Sequence, residues 1–395
     1  MIAYLTALGI VSPLGIGKEE VARNLFAGSR AGLIRRHGFV PACEVRVGAV
    51  SGALPEMPPR LAHFDCRNNR LALAAIEEIR PAIADALRRY GAGRVAVVMG
   101  TSTSGLAEGE AALAAWRRDG AWPASYRYSQ QELGNLGACV ADYLGIFGPA
   151  YTVSTACSSS AKVFASAQRL LQLGLCDAAL VGGADALCGL TLNGFHALEA
   201  IAADYCNPFS RNRDGINVGE GAAIFLMSRE PAAVALLGVG ESSDAYHVSA
   251  PDPSGAGALR AMQFALAAAE LPPEAIDYVN LHGTATPLND AMEGKAVAAL
   301  FGERTPCSAT KALTGHMLGA AGAAEAAFLW LSLDPGFSAG AQPPHVWDGA
   351  ADPEIPALNF TDAGTRARIG ERSAMLSNSF AFGGSNVAVV LGRGW

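Results

Sequence analysis

One cysteine and two histidines stand in this chain where their side chains would be presented to a substrate. Cys157 lies in VSTACSSSAKVFASAQRLL (153–171), between a short apolar run ending at Ala156 and a stretch whose apolar positions 163, 164, 167, 170 and 171 share one helical face. This predicts a buried strand end followed by a helix, with the thiol at or just before the helix N-terminus. Unpaired N–H groups and the helix dipole favour negative charge there, so the expectation is a thiol drawn toward thiolate, the form that attacks carbonyl carbon. Taken alone, the stretch favours a small buried cysteine that fills space, since free cysteine is among the most buried residue types. His282 follows the apolar run 275–281 in NLHGTATP, which places its ring at a strand end in a Gly/Thr loop. His316 sits in TKALTGHMLGAAGAAE, five residues after Lys311, at the predicted start of an Ala/Gly-rich helix.

Three chemistries use such residues. A catalytic metal needs a third ligand at matching spacing, and the pattern offers none. A cysteine hydrolase wants one histidine oriented by Asn or Asp, with water in the site. Two neutral imidazoles donating to one oxygen make a different demand: they stabilise an enolate formed from a thioester, which carbon–carbon bond formation requires. Lys311 and Glu325 flank His316; both are costly to bury alone, and a mutual ion pair satisfies them.

The elements that position these residues follow from composition and order. A chain of 395 residues with 51% hydrophobic and 16% charged residues and 45 glycines reads as a largely buried α/β protein. Its eight cysteines, at 43, 66, 139, 157, 176, 188, 206 and 307, form neither CxxC pairs nor a secreted disulfide framework, so reduced thiols in a cytoplasm are expected. MIAYLTALGIVSPLG reads as a first strand and not as a signal peptide, and no apolar run is long enough to span a bilayer. A net charge of −7 argues against nucleic acid as a partner. The order of parts recurs: AYLTALGIVSPLG, RVAVVMGTSTSG, the Cys157 turn and LVGGADAL are answered by VALLGVGESSDAYH, IDYVNLHGTATP, the His316 segment and SAMLSNSFAFGGSNVAVVL. Two copies of one α/β unit are expected, residues 1–230 carrying the cysteine and 231–395 the histidines, with a mixed sheet covered on both faces.

TACSSSA at Cys157, HGTATPLND at His282, KALTGHMLGAAGAAE at 311–325 and NSFAFGGSN at 378–386, together with SSDAYH and RDGINVGEG, resemble the elongating β-ketoacyl-acyl-carrier-protein synthases of the thiolase fold, over nearly the whole chain. The resemblance implies two duplicated halves with mixed five-stranded sheets in αβαβα layers. It makes Cys157 the acylated nucleophile and His282 and His316 the donors to the malonyl thioester, with Lys311 and Glu325 in support. The N–H groups of Cys157 and Phe382 become the oxyanion hole, Thr284 and Thr286 contact pantetheine, and Phe195 and Phe380 line the acyl pocket with Phe382. Thiolases carry a second cysteine where this chain has FAFGGSN, and priming ketosynthases have Asn in place of His316. A pocket-shaping partner subunit would have lost Cys157.

MGTSTSG (99–105) replaces the glycine-rich loop of fatty-acid ketosynthases, and its Thr103 falls where the family sets chain length; a helix-capping role would fit the same hydroxyls. The sequence is more similar to ketosynthases of aryl-polyene clusters. The implied partners are an acidic carrier protein, docked by Arg67, Arg70 and Arg127 with Arg211 and Arg213 nearby and Asn207 where an arginine is usual, and either a second copy or a cysteine-less chain-length factor. No cofactor is implied beyond the phosphopantetheine that arrives on the carrier.

Overall fold

The computed structural model describes residues 2–41, 43–366 and 370–395. Ten strands form the frame: β1 (Ala3–Ser12), β2 (Val95–Gly100), β3 (Ala150–Val153), β4 (Ala178–Asp185), β5 (Gly221–Ser228), β6 (Val234–Ser243), β7 (Ile276–Asn280), β8 (Pro306–Ser308), β9 (Ser373–Ala381) and β10 (Ser385–Arg393). In the first part they lie in the order β3-β2-β4-β5-β1, and in the second β8-β7-β9-β10-β6. The pattern of directions is the same in both: β3, β2 and β4 run parallel, as do β8, β7 and β9, and the remaining pairings are antiparallel.

The resemblance implied a mixed five-stranded sheet in each half, and each half has one. The two are joined edge to edge, because β1 pairs antiparallel with β6 at Ala3↔Leu236 and Tyr4↔Ala235. With Asn359–Phe360 beyond β8 and Gly15–Ile16 folded back on the end of β1, the sheet has twelve strands. A three-stranded sheet that the sequence did not announce, Leu33–Val40, Cys43–Gly48 and Val218–Gly219, packs against the helix Gly189–Ala197.

Residues such as VAVVMG of β2 and AALVGGAD of β4 are buried throughout, because helices cover both faces of the sheet. Outside the first part lie α1 (Arg67–Glu78) and α2 (Asn135–Leu144), whose Leu71, Ile76, Leu136 and Val140 pack on Val95, Val97 and Leu180. α3 (Ser159–Gln172) and α6 (Ala321–Leu333) share the central layer, touching both parts of the sheet. Outside the second part, α4 (Ala256–Ala269) and α5 (Pro287–Phe301) set Met262, Leu266, Met292 and Val297 against Val279, Leu376 and Val390. The layering is therefore αβαβα.

All thirteen residues of α6 are buried, which removes any amphipathic face and explains its AGAAEAAFLWLSL sequence. Small residues set its distance from α3: a Cβ on Gly322 would stand 2.7 Å from that of Ala161. Ser160 Oγ accepts the Ala323 N–H at 2.9 Å and ties the two helices at their starts. No helix among the described residues is long and apolar enough to cross a membrane.

Candidate active site

Cys157 sits in a tight turn between β3 and α3. Ala156 before it takes a left-handed φ of 50°, a strained conformation for a residue with a side chain. The serines after it hold the turn. Ser159 Oγ accepts the Thr155 N–H at 2.9 Å and donates to Ala156 O at 2.6 Å, while Ser158 Oγ donates to Thr155 O at 2.9 Å. α3 begins at Ser159, so the thiol lies just before a helix N-terminus as expected, but β3 is short and largely exposed at the sheet edge, not buried.

His282 follows the end of β7, as its apolar run required. His316 lies in a turn between a short helix, Lys311–Thr314, and α6, not at a helix start. Its N–H donates to Asn217 O at 2.6 Å and its carbonyl accepts the Gly219 N–H at 2.8 Å, so its backbone rides on the small sheet. These turns bring the three side chains together. His316 Nε2 is 3.0 Å from Cys157 Sγ, and the two imidazole rings meet edge to face with centroids 5.3 Å apart.

Burial pushes the Cys157 thiol up to about 11, although the charge of Lys311 and the backbone N–H groups of Phe382 and Cys157 all favour the thiolate. The expectation of a thiol drawn toward thiolate is overturned. The helix start supplies its dipoles, but desolvation of a fully buried sulfur outweighs them. Both imidazoles are held well below the usual histidine range, by burial first and then by the Lys311 charge. The resting site is a neutral thiol beside two neutral imidazoles.

Lys311 and Glu325 form the buried ion pair that the sequence suggested, at 2.5 Å. Lys311 Nζ also donates to His282 O at 2.5 Å and lies 3.3 Å from His282 Nδ1. An ammonium can only donate, so Nδ1 is the acceptor and the ring proton sits on Nε2, facing the cavity. Burial raises Glu325 to about 7, with Lys311 pulling it down.

Cys157, His282 and His316 line one cavity of about 330 Å³. Phe195 and Phe382, with ring centroids 5.6 Å apart, form part of its wall, and Phe380 stands 6.0 Å from the His282 ring. Thr284 and Thr286 line it too, their hydroxyls 3.0 Å apart. Thr103 does not reach the cavity. It is fully buried, with its hydroxyl donating to Asp185 Oδ1 at 2.9 Å and accepting the Ala186 N–H at 3.1 Å.

Arg67, Arg70 and Arg127 do converge, on the wall of a second concavity of about 790 Å³. Their charges are not all free. Arg67 pairs with the buried Glu220 at 2.5 Å, Arg70 grips Asp65 through two bonds of 2.6 and 2.7 Å, and Arg127 donates to Ala124 O and Tyr126 O. Arg213 pairs with Asp352 at 2.5 Å, and Asn207 Oδ1 accepts the Asp348 N–H.

Two buried carboxylates beneath His282 went unread in the sequence. Glu293 accepts the N–H groups of His282 at 2.7 Å and Gly283 at 2.8 Å, and Asp290 accepts those of Phe209 and Ala285. Burial raises them to about 7 and about 6. Their spacing of three on α5 puts both on one helical face, and that was the available signal.

The comparisons with known proteins agree with this geometry. The family described as β-ketoacyl synthase, N-terminal domain, matches residues 4–233, and β-ketoacyl synthase, C-terminal domain, matches residues 233–341. The chain is 33% identical over 415 aligned positions to 3-oxoacyl-[acyl-carrier-protein] synthase 1 of Haemophilus influenzae, with 98% of each chain covered. Among solved structures, that of the ketosynthase ApeO in complex with its chain length factor ApeC from Xenorhabdus doucetiae matches with a TM-score of 0.94 and 44% identity, covering 99% of this chain and 98% of that one. The ishigamide ketosynthase/chain length factor matches with a TM-score of 0.87 and 27% identity, covering 99% of each chain. With family matches spanning most of its length around a buried Cys–His–His site, the chain belongs to the β-ketoacyl synthase family.

Proposed function

We propose that this chain is a β-ketoacyl-acyl-carrier-protein synthase, an acyltransferase that condenses a Cys157-bound acyl group with malonyl carrier protein. The observation that carries the reading is the meeting of Cys157, His316 and His282 in one cavity. In the first step the Cys157 sulfur attacks the acyl thioester, and the oxyanion is received by the N–H groups of Cys157 and Phe382. The carbon–sulfur bond to the carrier breaks, and the carrier thiol departs with the proton that Cys157 gives up. In the second, the malonyl thioester oxygen accepts from the imidazole N–H groups, the bond to the carboxylate breaks, and carbon dioxide leaves its electron pair in an enolate. The enolate carbon then attacks the Cys157 thioester. A carbon–carbon bond forms, the carbon–sulfur bond breaks, and the β-ketoacyl chain stays on the carrier.

Neutral imidazoles suit this role, because they donate without adding a proton to the enolate carbon. Thr284 and Thr286 are placed to meet the pantetheine arm, which arrives on the carrier as the only prosthetic group. The concave face with Arg67, Arg70 and Arg127 is the proposed carrier dock. The likeness to the ApeO structure, a complex of a ketosynthase with its chain length factor, supports pairing with a chain-length factor over a homodimer; the aryl-polyene pathway, as against a fatty-acid one, rests on the sequence resemblance alone. A cytoplasmic setting fits eight unpaired cysteines.

The test is mass spectrometry of Cys157 and of the carrier after incubation with acyl and malonyl carrier proteins. Acyl mass on Cys157 followed by β-ketoacyl carrier is expected, both abolished in Cys157→Ala. Release of free acid would mean a hydrolase, and product from Cys157→Ala at the wild-type rate would remove the nucleophile.

A further inference from the structure

The hydroxyl-rich segment MGTSTSG and the strand end LVGGADAL meet at a carboxylate for which the catalytic scheme has no role. Asp185, the last residue of β4, is fully buried. Its Oδ1 accepts from Thr101 Oγ1 at 2.6 Å, from the Ser102 N–H at 2.8 Å, and from the N–H and hydroxyl of Thr103, both at 2.9 Å. Its Oδ2 accepts from Ser102 Oγ and from the Gly319 N–H, both at 2.5 Å. Three of these donors are backbone N–H groups, which cannot accept. A carboxylate meets them all, whereas a carboxamide would turn an NH₂ toward at least one.

Gly319 lies three residues beyond His316, across a turn in which Leu318 has a φ of 46°. A Cβ on Gly319 would stand 2.7 Å from Ser102 N and 2.8 Å from Asp185 Oδ2, so the turn rests directly on the 101–103 loop. Among the described residues the His316 ring has no second hydrogen-bond anchor, since its Nδ1 is buried without a partner there. Its place is therefore set by backbone held at two points, residues 217 and 219 on one side and Asp185 on the other.

We propose that Asp185 is a positioning residue: by clamping the Gly319 turn to the Thr101–Thr103 loop, it fixes the backbone from which His316 reaches Cys157. This rests on the ketosynthase reading for its consequence in catalysis, though not for its geometry. Asp185 also brings a buried charge that disfavours the Cys157 thiolate, against Lys311, which favours it. His316 and His282, Glu325 behind Lys311, and Glu199 and Asp244 in the wall of the same cavity are the other titratable groups near the thiol.

The experiment compares Asp185→Asn and Ser102→Ala with wild type in two assays. One is the pH profile of Cys157 alkylation by iodoacetamide, read by peptide mass. The other is the ratio of acyl transfer to elongation. Asp185→Asn should move the alkylation midpoint down, because a buried negative charge that opposes the thiolate is removed, and elongation should fall more than tenfold further than acyl transfer. Ser102→Ala keeps the charge but removes one of its donors, so its midpoint should move up. Opposite signs cannot come from a general loss of stability. Midpoints unchanged in both variants, or transfer and elongation falling by one common factor, would overturn the proposal. If Asp185→Asn does not fold, the Ser102→Ala midpoint decides alone. Alkylation needs no carrier substrate, so a wild-type protein that alkylates as described yet never condenses would refute the ketosynthase reading and leave the clamp standing.

Discussion

Replacing Lys311 with methionine tests the electrostatics of the site with little change in shape. Lys311 Nζ is the only cation bonded to Glu325 among the described residues, and the other Glu325 oxygen has no protein donor. Without the ammonium, the carboxylate loses the one interaction that opposes its desolvation, and its pKa rises beyond about 7. A carboxyl whose folded pKa lies above its unfolded value costs stability as pH rises from the unfolded pKa to the folded one. Wild type and variant share that slope up to about pH 7. Above it, wild type levels off while Lys311→Met continues to lose stability.

If the variant's Glu325 titrates near pH 9, two further pH units at about 1.36 kcal/mol each give roughly 2.7 kcal/mol. This is close to the low end of the about 3–5 kcal/mol typical of a broken buried pair. For 395 residues, an unfolding entropy of about 2.1 cal/mol/K per residue converts the extra loss to roughly 3 °C in Tm. Thermal unfolding of both proteins from pH 6 to 9 should therefore show a gap that opens above pH 7. The double variant Lys311→Met/Glu325→Gln should show a gap that is flat above pH 7. A gap of the same size at every pH, or a double variant as pH-sensitive as the single one, would refute the reasoning.

His316→Asn keeps the oxyanion hole and removes one donor to the enolate. Elongation should fall about 10²–10³-fold with Cys157 acylation far less affected, read by single-turnover mass measurements. Thr103→Ile should lower stability by roughly 1–3 kcal/mol through overpacking, and further through the lost bond to Asp185, while the range of acyl primers accepted in competition stays unchanged. A shortened primer range would restore Thr103 to the acyl passage. Arg67→Ala strands the buried Glu220 and should lower Tm, whereas Arg127→Ala, which loses only bonds to backbone carbonyls, should weaken carrier binding with Tm nearly unchanged. Binding titrations beside melting curves separate the two effects.

The residues of the site were legible because their motifs carry them: Cys157 before an apolar-periodic stretch, His282 at the end of an apolar run, and Lys311, His316 and Glu325 in one Ala/Gly-rich segment. What sequence could not show was the balance of forces at each of them. The start of α3 was visible and the depth of burial was not, so the thiol was expected to be acidic when desolvation dominates. Thr103 and Arg67 were read as free because their partners, Asp185 and Glu220, lie 82 and 153 residues away. The joining of the sheets rests on two residue pairs of β1 and β6, too short a register to leave a pattern. Asp290 and Glu293 were overlooked because acidic residues on a helix ordinarily face water.

The contact between α3 and α6 has a mechanical consequence. A helix pair separated by long side chains can slide as rotamers adjust, but the meeting of Gly322 with Ala161 leaves nothing to adjust. α3 carries the thiol at its head, and the histidine turn leads directly into α6. The spacing of these helices thus works as a solid gauge for the distance between sulfur and imidazole, insensitive to what happens in the loops above. Such a gauge admits almost no sequence change within itself. The elements over the cavity, such as the helix Gly189–Ala197 that carries Phe195 and the turn that carries Phe382, can then vary with the acyl chain to be held while the reacting atoms keep their separation.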